Sequence, residues 1–447
     1  MLQAVRELRP EPGPVHPQPT AVVMSRSMSD ELDPLRLMDA TDRGERDQQR
    51  QRSGPLKGRY EAGEHQWLGM RGATLACTRL GVDPESLRRL RRRAGDVELG
   101  YGEIVALSGD FYKDPDDLYE ERPSPFPWLY ESHDLSDIRK RFASELTWIL
   151  DERRPANAGY PDNTIAFIWN AKGYLELAED NTDHFGWHNV LRYCQCHQMA
   201  IDSAIQAQSC SAADASWVKA LYYNGFADHF LTDAFAAGHV RIPRREIREW
   251  APSRGFNGKL AGLLSKVLHD QDGHVSSLHA QGEGQLPDTE GLPVENPLGV
   301  KWSTRCDGQL FLVPSAEDAP LLNEPVNAVA ASLEEVFRAQ KEKRSPSGPF
   351  QALQHVPFPR AGSPSLTDKF HGAPAERIDL LLKSFRWYTK LPLVSSSLDK
   401  DNVAALFEDL PALMAAFRAN VTKDHADSPV LQERLPEAYV AAFKKVA

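Results

Sequence analysis

The segment at residues 228–241, Asp-His-Phe-Leu-Thr-Asp-Ala-Phe-Ala-Ala-Gly-His-Val-Arg, constrains the fold more than any other part of the sequence. Counting back from Asp233 in steps of four and three residues gives one helical face that begins apolar and ends polar, formed by Val218, Tyr222, Phe226 and His229. We predict that this helix begins near Ser211 or Asp214. A carboxylate on an inward face is costly to bury alone, so Asp233 must be hydrogen-bonded, salt-bridged or bound to metal.

The spacing of His229, Asp233 and His239 indicates more than one metal ion. His229 and Asp233 are four residues apart and can place a nitrogen and an oxygen on one cation. His239 would lie about 9 Å farther along an unbroken helix. That distance suits ions about 3.5–4 Å apart with Asp233 as a bridge, especially if Gly238 ends or bends the helix. The alternative is a buried His–Asp hydrogen bond, with His239 stabilised by the helix dipole.

Composition bounds the function classes. The chain has 447 residues, 41% of them hydrophobic, which allows one large domain with extensions or two to three domains. A formal net charge of −11 argues against a general nucleic-acid binder, because such proteins need a basic surface to neutralise phosphates. We therefore expect no nucleic-acid partner, whereas a small phosphate-containing substrate held by metal remains compatible.

The five cysteines do not resemble a disulfide framework, so we expect thiols in a reducing compartment. Cys194, Cys196 and His197 have no second cysteine pair to complete a zinc finger, and His197 is better interpreted as a core histidine. The sequence has no run of 18 apolar residues and no apolar signal-peptide core near its start. We therefore predict no transmembrane segment and a protein that is cytoplasmic, or exported without a cleavable signal.

Helical periodicity dominates the chain after a polar start. Residues 1–59 contain no aromatic side chain, and we predict that they are disordered. We predict helices near residues 83–93, 135–153, 164–180, 189–208, 255–268, 322–341, 375–390, 401–419 and 429–445, with loop regions at 280–312 and 344–366. Because strand alternation is scarce, the predicted fold class is all-α.

Further candidate ligands lie outside the central motif. His65 and His184 stand at the starts of predicted folded segments, and Asp110 follows Gly109 at the end of an apolar run. His269 and Asp272 are three residues apart on a helix and can chelate together. The alternatives are an exposed histidine at position 65 and a turn or capping role for Asp110.

Taken in chain order, these candidate ligands resemble the ligand set of the zinc-dependent phospholipase C family. The family's His-x3-Asp-x5-His motif is matched at His229, Asp233 and His239. The surrounding sequence, His-Phe-Leu-Thr-Asp-Ala-Phe-Ala-Ala-Gly-His, looks most like that of the bacterial and fungal branch without a signal peptide. The resemblance covers residues 60–320, which it implies are an all-helical catalytic domain with two or three zinc ions. Residues 321–447 lie outside it, and we expect a helical extension packed on the core.

The resemblance also implies a ligand set. The early zinc histidine of the family falls on His65, its acidic residue before an aromatic on Asp110, its His-Phe ligand on His184, and the carboxylate shared by two zincs on Asp233. The sequence departs from the family twice. Secreted members use their processed N-terminal residue as a ligand, for which Glu64 is the candidate substitute. Their later His-x3-acid pair would need an acid where Gly273 stands, so Asp272 is preferred for His269, with Asp270 and His274 as alternatives.

The function that the resemblance implies is phospholipase C activity on phosphatidylcholine or a similar phospholipid, with transient contact to a membrane surface. Asp110 would orient or deprotonate the attacking water, and Phe111 would offer its ring to a choline headgroup. The same superfamily includes single-strand nucleases and nucleotidases, which are the enzymatic alternative. A non-catalytic helical scaffold with a structural His/Asp set is the alternative from another class.

Overall fold

A computed structural model of the chain is predominantly helical. It describes residues 62–93, 97–120, 134–151, 181–273, 291–306, 319–373, 375–385 and 398–446, together with the single residues 161, 163, 167, 171, 174, 177 and 310. These residues form fifteen α-helices and five short strands. The all-α prediction is therefore confirmed at this coarse level, whereas the predicted disorder of residues 1–59 lies outside the described residues.

Fifteen helices and five strands make up the described part of the chain. The helices are α1 Ala62–Leu80, α2 Tyr101–Leu107, α3 Pro115–Glu120, α4 Leu135–Leu150, α5 Trp187–Gln206, α6 Ala215–Asp233, α7 Ala237–Val240, α8 Arg244–Trp250, α9 Gly258–Gln271, α10 Ala319–Glu342, α11 Leu366–Phe370, α12 Ala375–Phe385, α13 Lys400–Asp427, α14 Pro429–Arg434 and α15 Glu437–Phe443. The strands are β1 Leu90–Arg91, β2 Glu98–Leu99, β3 Leu292–Glu295, β4 Lys301–Thr304 and β5 Phe358–Pro359.

Helix α6 is the central element of the described residues. Its N-cap is Asp214, whose side chain accepts hydrogen bonds from the backbone amides of Ser216 and Trp217, as the sequence predicted for the start of this helix. Every residue from position 220 to 240 is buried. A helix that is buried on all sides lies in the interior of the fold. Helices α1, α2, α3, α5 and α10 pack against it.

The region after α1 differs from its prediction. Instead of a helix through residues 83–93, a 3-10 helix spans Pro84–Leu87, and β1 then pairs antiparallel with β2. Arg92, from a run of arginines expected to face solvent, is 3% exposed. The predicted helix at 429–445 is likewise divided into α14 and α15, because Pro436 interrupts the helical hydrogen bonds.

A small three-stranded antiparallel sheet occupies part of the predicted loop region at 280–312. Its strand order is β4-β3-β5, with Val294 of β3 opposite Trp302 of β4. No strand of this sheet exceeds four residues, and β3 and β5 each contain a proline, so the alternation is too short to be recognised in the sequence. The amide of Ala237, in α7, donates to the carbonyl of Arg305 just after β4, so this sheet adjoins the end of the central helical segment.

The C-terminal helices are in contact with the helices before them. Helix α10 packs against α1, α5 and α6, and α13 packs against α8 and α9. The predicted domain boundary at 320 falls inside α10, so a separate extension from 321 to 447 stays a prediction. Among the described residues, no helix combines the length and the apolar character needed to cross a bilayer.

Candidate metal centre

A cluster of buried histidines surrounds the carboxylate of Asp233 at the end of α6. His229, one turn earlier, places Nε2 3.6 Å from Asp233 Oδ2. His184, from the turn that precedes α5, places Nδ1 2.9 Å from the same oxygen and 3.3 Å from His229 Nε2. His65, from the first turns of α1, places Nε2 3.5 Å from Asp233 Oδ1. Three separate segments therefore deliver histidines to one carboxylate.

His239 joins this cluster because the helix ends earlier than the sequence suggested. Helix α6 stops at Asp233, residues 234–236 form a turn, and α7 begins at Ala237. This turn brings His239 Nδ1 to 3.5 Å from Asp233 Oδ1, in place of the roughly 9 Å expected for an unbroken helix. The helix therefore ends before Gly238, the residue at which the sequence allowed an end or a bend. A Cβ at Gly238 would instead collide with the ring of His269.

Hydrogen bonds on the outer side of the rings fix their orientation. His229 Nδ1 lies 3.1 Å from the carbonyl oxygen of Val105, to which it donates, so its Nε2 carries a lone pair. The Thr232 hydroxyl donates to backbone carbonyls and therefore accepts from His65 Nδ1 at 2.7 Å. His239 Nδ1 donates to the carbonyl of His184 at 2.7 Å. Outer partners of this kind are typical of metal-ligating histidines.

The local electrostatics favour an ionised Asp233 carboxylate beside a neutral His229 imidazole. Burial opposes ionisation of Asp233, but the nearby His239, His229 and His184 outweigh it and hold its pKa below the ordinary range. Burial, together with His65 and His184, lowers the pKa of His229 well below its usual value, although Asp233 acts in the opposite direction. Asp233 Oδ2, which is buried, accepts no well-directed hydrogen bond from the described residues.

This arrangement fits a divalent cation. The ligand atoms of His184, His229 and Asp233 lie within 4.8 Å of one another, and so do those of His65, Asp110 and His229. In a tetrahedral zinc site with bonds of about 2.0–2.2 Å, neighbouring ligand atoms are about 3.3–3.6 Å apart. Of the three distances among His184 Nδ1, His229 Nε2 and Asp233 Oδ2, those of 3.3 and 3.6 Å lie in this range and that of 2.9 Å is shorter. The buried cluster can therefore hold a metal ion.

Asp110 reaches the cluster through a tight turn at Gly109. Gly109 has a φ of 70°, and a Cβ there would lie 2.7 Å from the His184 ring and closer still to His229. Only glycine tolerates both this backbone conformation and this approach. The turn delivers Asp110 as the partly exposed member of a group whose histidines are buried. Among these groups, solvent therefore reaches the Asp110 side.

His269 lies next to the cluster, but Asp272 does not join it. The ring of His269 is edge-to-face with His239, with centroids 4.8 Å apart. Asp272 instead forms a bidentate salt bridge with the buried Arg241, with both N–O distances 2.8 Å. Burial opposes ionisation of Asp272, but Arg241 and then Lys369 outweigh it and lower its pKa. The side chain beside His269 is Asp270, whose Oδ1 lies 2.7 Å from His269 Nδ1.

Two other expected site residues have structural partners. Phe111 is 2% exposed and its ring contacts those of Phe142, Phe167 and Tyr174, with centroids 5.1–5.5 Å apart. Its ring therefore faces the core, which corrects the expectation that it receives a choline headgroup. Glu64 is 1% exposed and accepts a hydrogen bond from the Leu310 amide. His274, the other alternative partner for His269, lies outside the described residues.

Two residues that support the site carry no signal in the sequence. Thr232 orients His65, yet an isolated threonine inside a helix has no distinctive pattern. Phe185 stacks on His239 with centroids 4.6 Å apart and planes 8° apart, and the guanidinium carbon of Arg244 lies 4.7 Å from the centroid of the Phe185 ring. Only the three-dimensional structure brings these rings together.

Comparison with known proteins identifies no relative. No protein-family model matches the chain, and neither a curated protein nor a solved structure gives a significant match. A function can therefore be inferred only from the geometry around Asp233 and from the sequence motif.

Proposed function

We propose that the protein is a zinc-dependent phosphodiester hydrolase of the phospholipase C type. The observation that carries this proposal is the convergence of His184 Nδ1, His229 Nε2 and Asp233 Oδ2, three potential ligand atoms within 3.6 Å of one another in a buried position. A buried carboxylate surrounded by neutral imidazoles is costly, and a divalent cation removes that cost.

In this proposal each nitrogen or oxygen ligand atom would bind a single ion. Because His229 Nδ1 donates to Val105, its Nε2 serves one ion only. In this proposal His184, His229 and Asp233 Oδ2 would hold one ion, and His65, Asp110 and Asp233 Oδ1 would hold a second, with the carboxylate of Asp233 shared between them. His239 and His269 stand beside this pair, where a third ion would be held.

The reaction follows from what these residues can do. Zinc supplies Lewis-acid polarisation of a phosphoryl oxygen and activation of water. Asp110 holds the attacking water and accepts its proton, since it lies on the partly exposed side of the group. The other proposed ligands, His65, His184, His229 and Asp233, are buried. The choice of a phospholipid over a nucleotide substrate rests on the sequence motif, because Phe111 is committed to the core.

The test compares wild-type protein with Asp233→Asn and with the control Asp409→Asn, whose carboxylate pairs with Trp250 and Arg254 away from the cluster. Zinc content is measured by mass spectrometry after dialysis against zinc, and hydrolysis is assayed on phosphatidylcholine, single-stranded DNA and a nucleoside monophosphate. We expect zinc and headgroup release in the wild type and in Asp409→Asn, and neither in Asp233→Asn.

Two outcomes would redirect the proposal. Activity on nucleotides or single strands alone would favour a nuclease or nucleotidase, and the absence of bound zinc from wild-type protein would favour a helical scaffold. Normal zinc content in Asp233→Asn would contradict the ligand assignment itself.

A further inference from the structure

Arg192 lies on the second turn of α5 and is not among the candidate ligands. Its Nη2 donates a hydrogen bond to the carbonyl oxygen of Lys113 at 3.0 Å. Lys113 belongs to the loop at 108–114 that also carries Asp110. The guanidinium therefore holds the backbone of this loop three residues after a proposed metal ligand.

The same guanidinium faces a second ligand-bearing loop. Arg192 Nε lies 3.9 Å from Asp183 Oδ2, and Asp183 directly precedes His184. Nη2 is also 3.9 Å from Asp114 Oδ2. The guanidinium carbon lies 5.7 Å from the ring centroid of Phe226 in α6, so the side chain crosses from α5 over α6. Arg192 thus stands between the two loops and rests on the helix that carries His229.

The three polar contacts of the Arg192 guanidinium differ in strength. Asp114 and Asp183 are 49% and 58% exposed, and salt bridges of this kind are screened by water. The hydrogen bond to the Lys113 carbonyl is shorter and fixes backbone. Arginine suits this position because its planar fork has several donors and also stacks on an aromatic ring.

We propose that Arg192 is a positioning residue that sets the distance between the Asp110 loop and the His184 loop, and thereby the affinity for metal. This inference rests on the metal centre in the proposed function. Loss of the guanidinium removes one hydrogen bond that restrains the loop at 108–114, while all ligands remain present. Removal of outer groups around metal sites lowers affinity by about 10–100-fold, and we expect about tenfold for Arg192 because it is one step farther from the ion.

The experiment measures zinc affinity by competition with a chelator in full-length protein. Arg192→Met removes the donors but keeps an apolar stem against Phe226, and Arg192→Lys restores one donor. Arg245→Met is the matched control, because Arg245 also lies on a helix and pairs with two carboxylates, Glu249 and Asp424. We expect affinity about tenfold lower for Arg192→Met, within about threefold of wild type for Arg192→Lys, and unchanged for Arg245→Met.

Unfolding temperatures of the metal-free proteins separate positioning from general stability, and the two arginine-to-methionine variants should differ little. Wild-type affinity in Arg192→Met would overturn the inference and leave the metal centre standing, as would equal losses in Arg192→Met and Arg245→Met. Equal losses in the lysine and methionine variants would show that the Lys113 hydrogen bond is not the cause. Absence of zinc from wild-type protein would instead defeat the proposed function.

Discussion

Two buried polar clusters lie along the same helix, and their buried polar atoms are paired in different ways. One surrounds Asp233 at the end of α6, and the other surrounds Asn224 two turns earlier. Both contain a fully buried histidine close to a carboxylate, His229 in the first and His197 in the second. The clusters differ in how their donors and acceptors are matched.

In the cluster around Asn224, most buried donors face acceptors, although Asp228 Oδ1 has no hydrogen-bond partner among the described residues. Both ring nitrogens of His197 face oxygens, Asn224 Oδ1 at 2.6 Å and Glu335 Oε2 at 3.2 Å. Asn224 Nδ2 donates to the Tyr101 hydroxyl at 2.7 Å, which in turn donates to Asp228 Oδ2 at 2.6 Å. The geometry around His197 therefore agrees with its interpretation as a core histidine.

In the cluster around Asp233, lone pairs face lone pairs. His229 Nε2 and the Asp233 carboxylate are both acceptors, and Asp233 Oδ2 lacks a well-directed donor among the described residues. A cation satisfies all of these atoms at once. Burial of a histidine therefore does not identify a ligand, whereas the convergence of the ligand atoms of His184, His229 and Asp233 in one buried place indicates a metal site.

The largest expected effect concerns Asp272, whose partners are cations. Asp272→Asn breaks a buried pair with Arg241 and should lower the free energy of unfolding by about 3–5 kcal/mol at neutral pH without changing zinc content. The pKa of Asp272 is lowered in the folded state, so its contribution is present above about pH 4 and is lost as pH falls through the folded value. Denaturant unfolding from about pH 3 to 7 should show wild type and variant converging in acid. Loss of zinc from this variant would instead make Asp272 part of the metal centre.

The next prediction concerns the same substitution, histidine to glutamine, at His229 and at His197. His229→Gln should lower zinc affinity at least about 100-fold, because a direct ligand matters more than an outer group. His197→Gln should leave zinc affinity within about twofold, but should lower the free energy of unfolding by about 1–3 kcal/mol because Glu335 or Asn224 loses its partner. Chelator competition and denaturant unfolding on both variants provide the measurement. Equal zinc affinities in the two variants would remove the distinction between the clusters.

The smallest effect concerns Gly109, which allows His184 and His229 to approach the Asp110 loop. Gly109→Ala should lower zinc affinity about tenfold, because the added methyl displaces both rings in addition to straining the backbone. The control is Gly362→Ala, where φ is 85° but no atom lies within 4 Å of the added Cβ. The control should lose about 1 kcal/mol of stability and no zinc affinity. If the two variants bind zinc equally well, the close approach at Gly109 is unimportant.

These regions also differ in how far the sequence predicted them. The start of α6 lies at Asp214, one of the two starts that the sequence offered, and the pairing of His229 with Asp233 followed from helical spacing. Their local character made them predictable. The contact between His65 and Asp233 joins residues far apart in the chain, and only the family resemblance pointed to it.

The errors have physical causes of the same kind. The turn at 234–236 has the sequence Ala-Phe-Ala, which contains no helix breaker, so the sequence placed His239 among the ligands but did not predict that the helix ends at Asp233. Asp272 has a sequence spacing suitable for a ligand, but Arg241, 31 residues earlier, takes its carboxylate. Phe111 sits beside Asp110 in sequence, while its ring turns into an aromatic core formed by distant residues.

Anomalous X-ray scattering at the zinc edge, on crystals grown with zinc, tests the central claim most directly. We predict a peak about 2.0–2.2 Å from His184 Nδ1, His229 Nε2 and Asp233 Oδ2. A structure in which these three atoms bind no ion, with zinc absent or located at another site, would contradict the account.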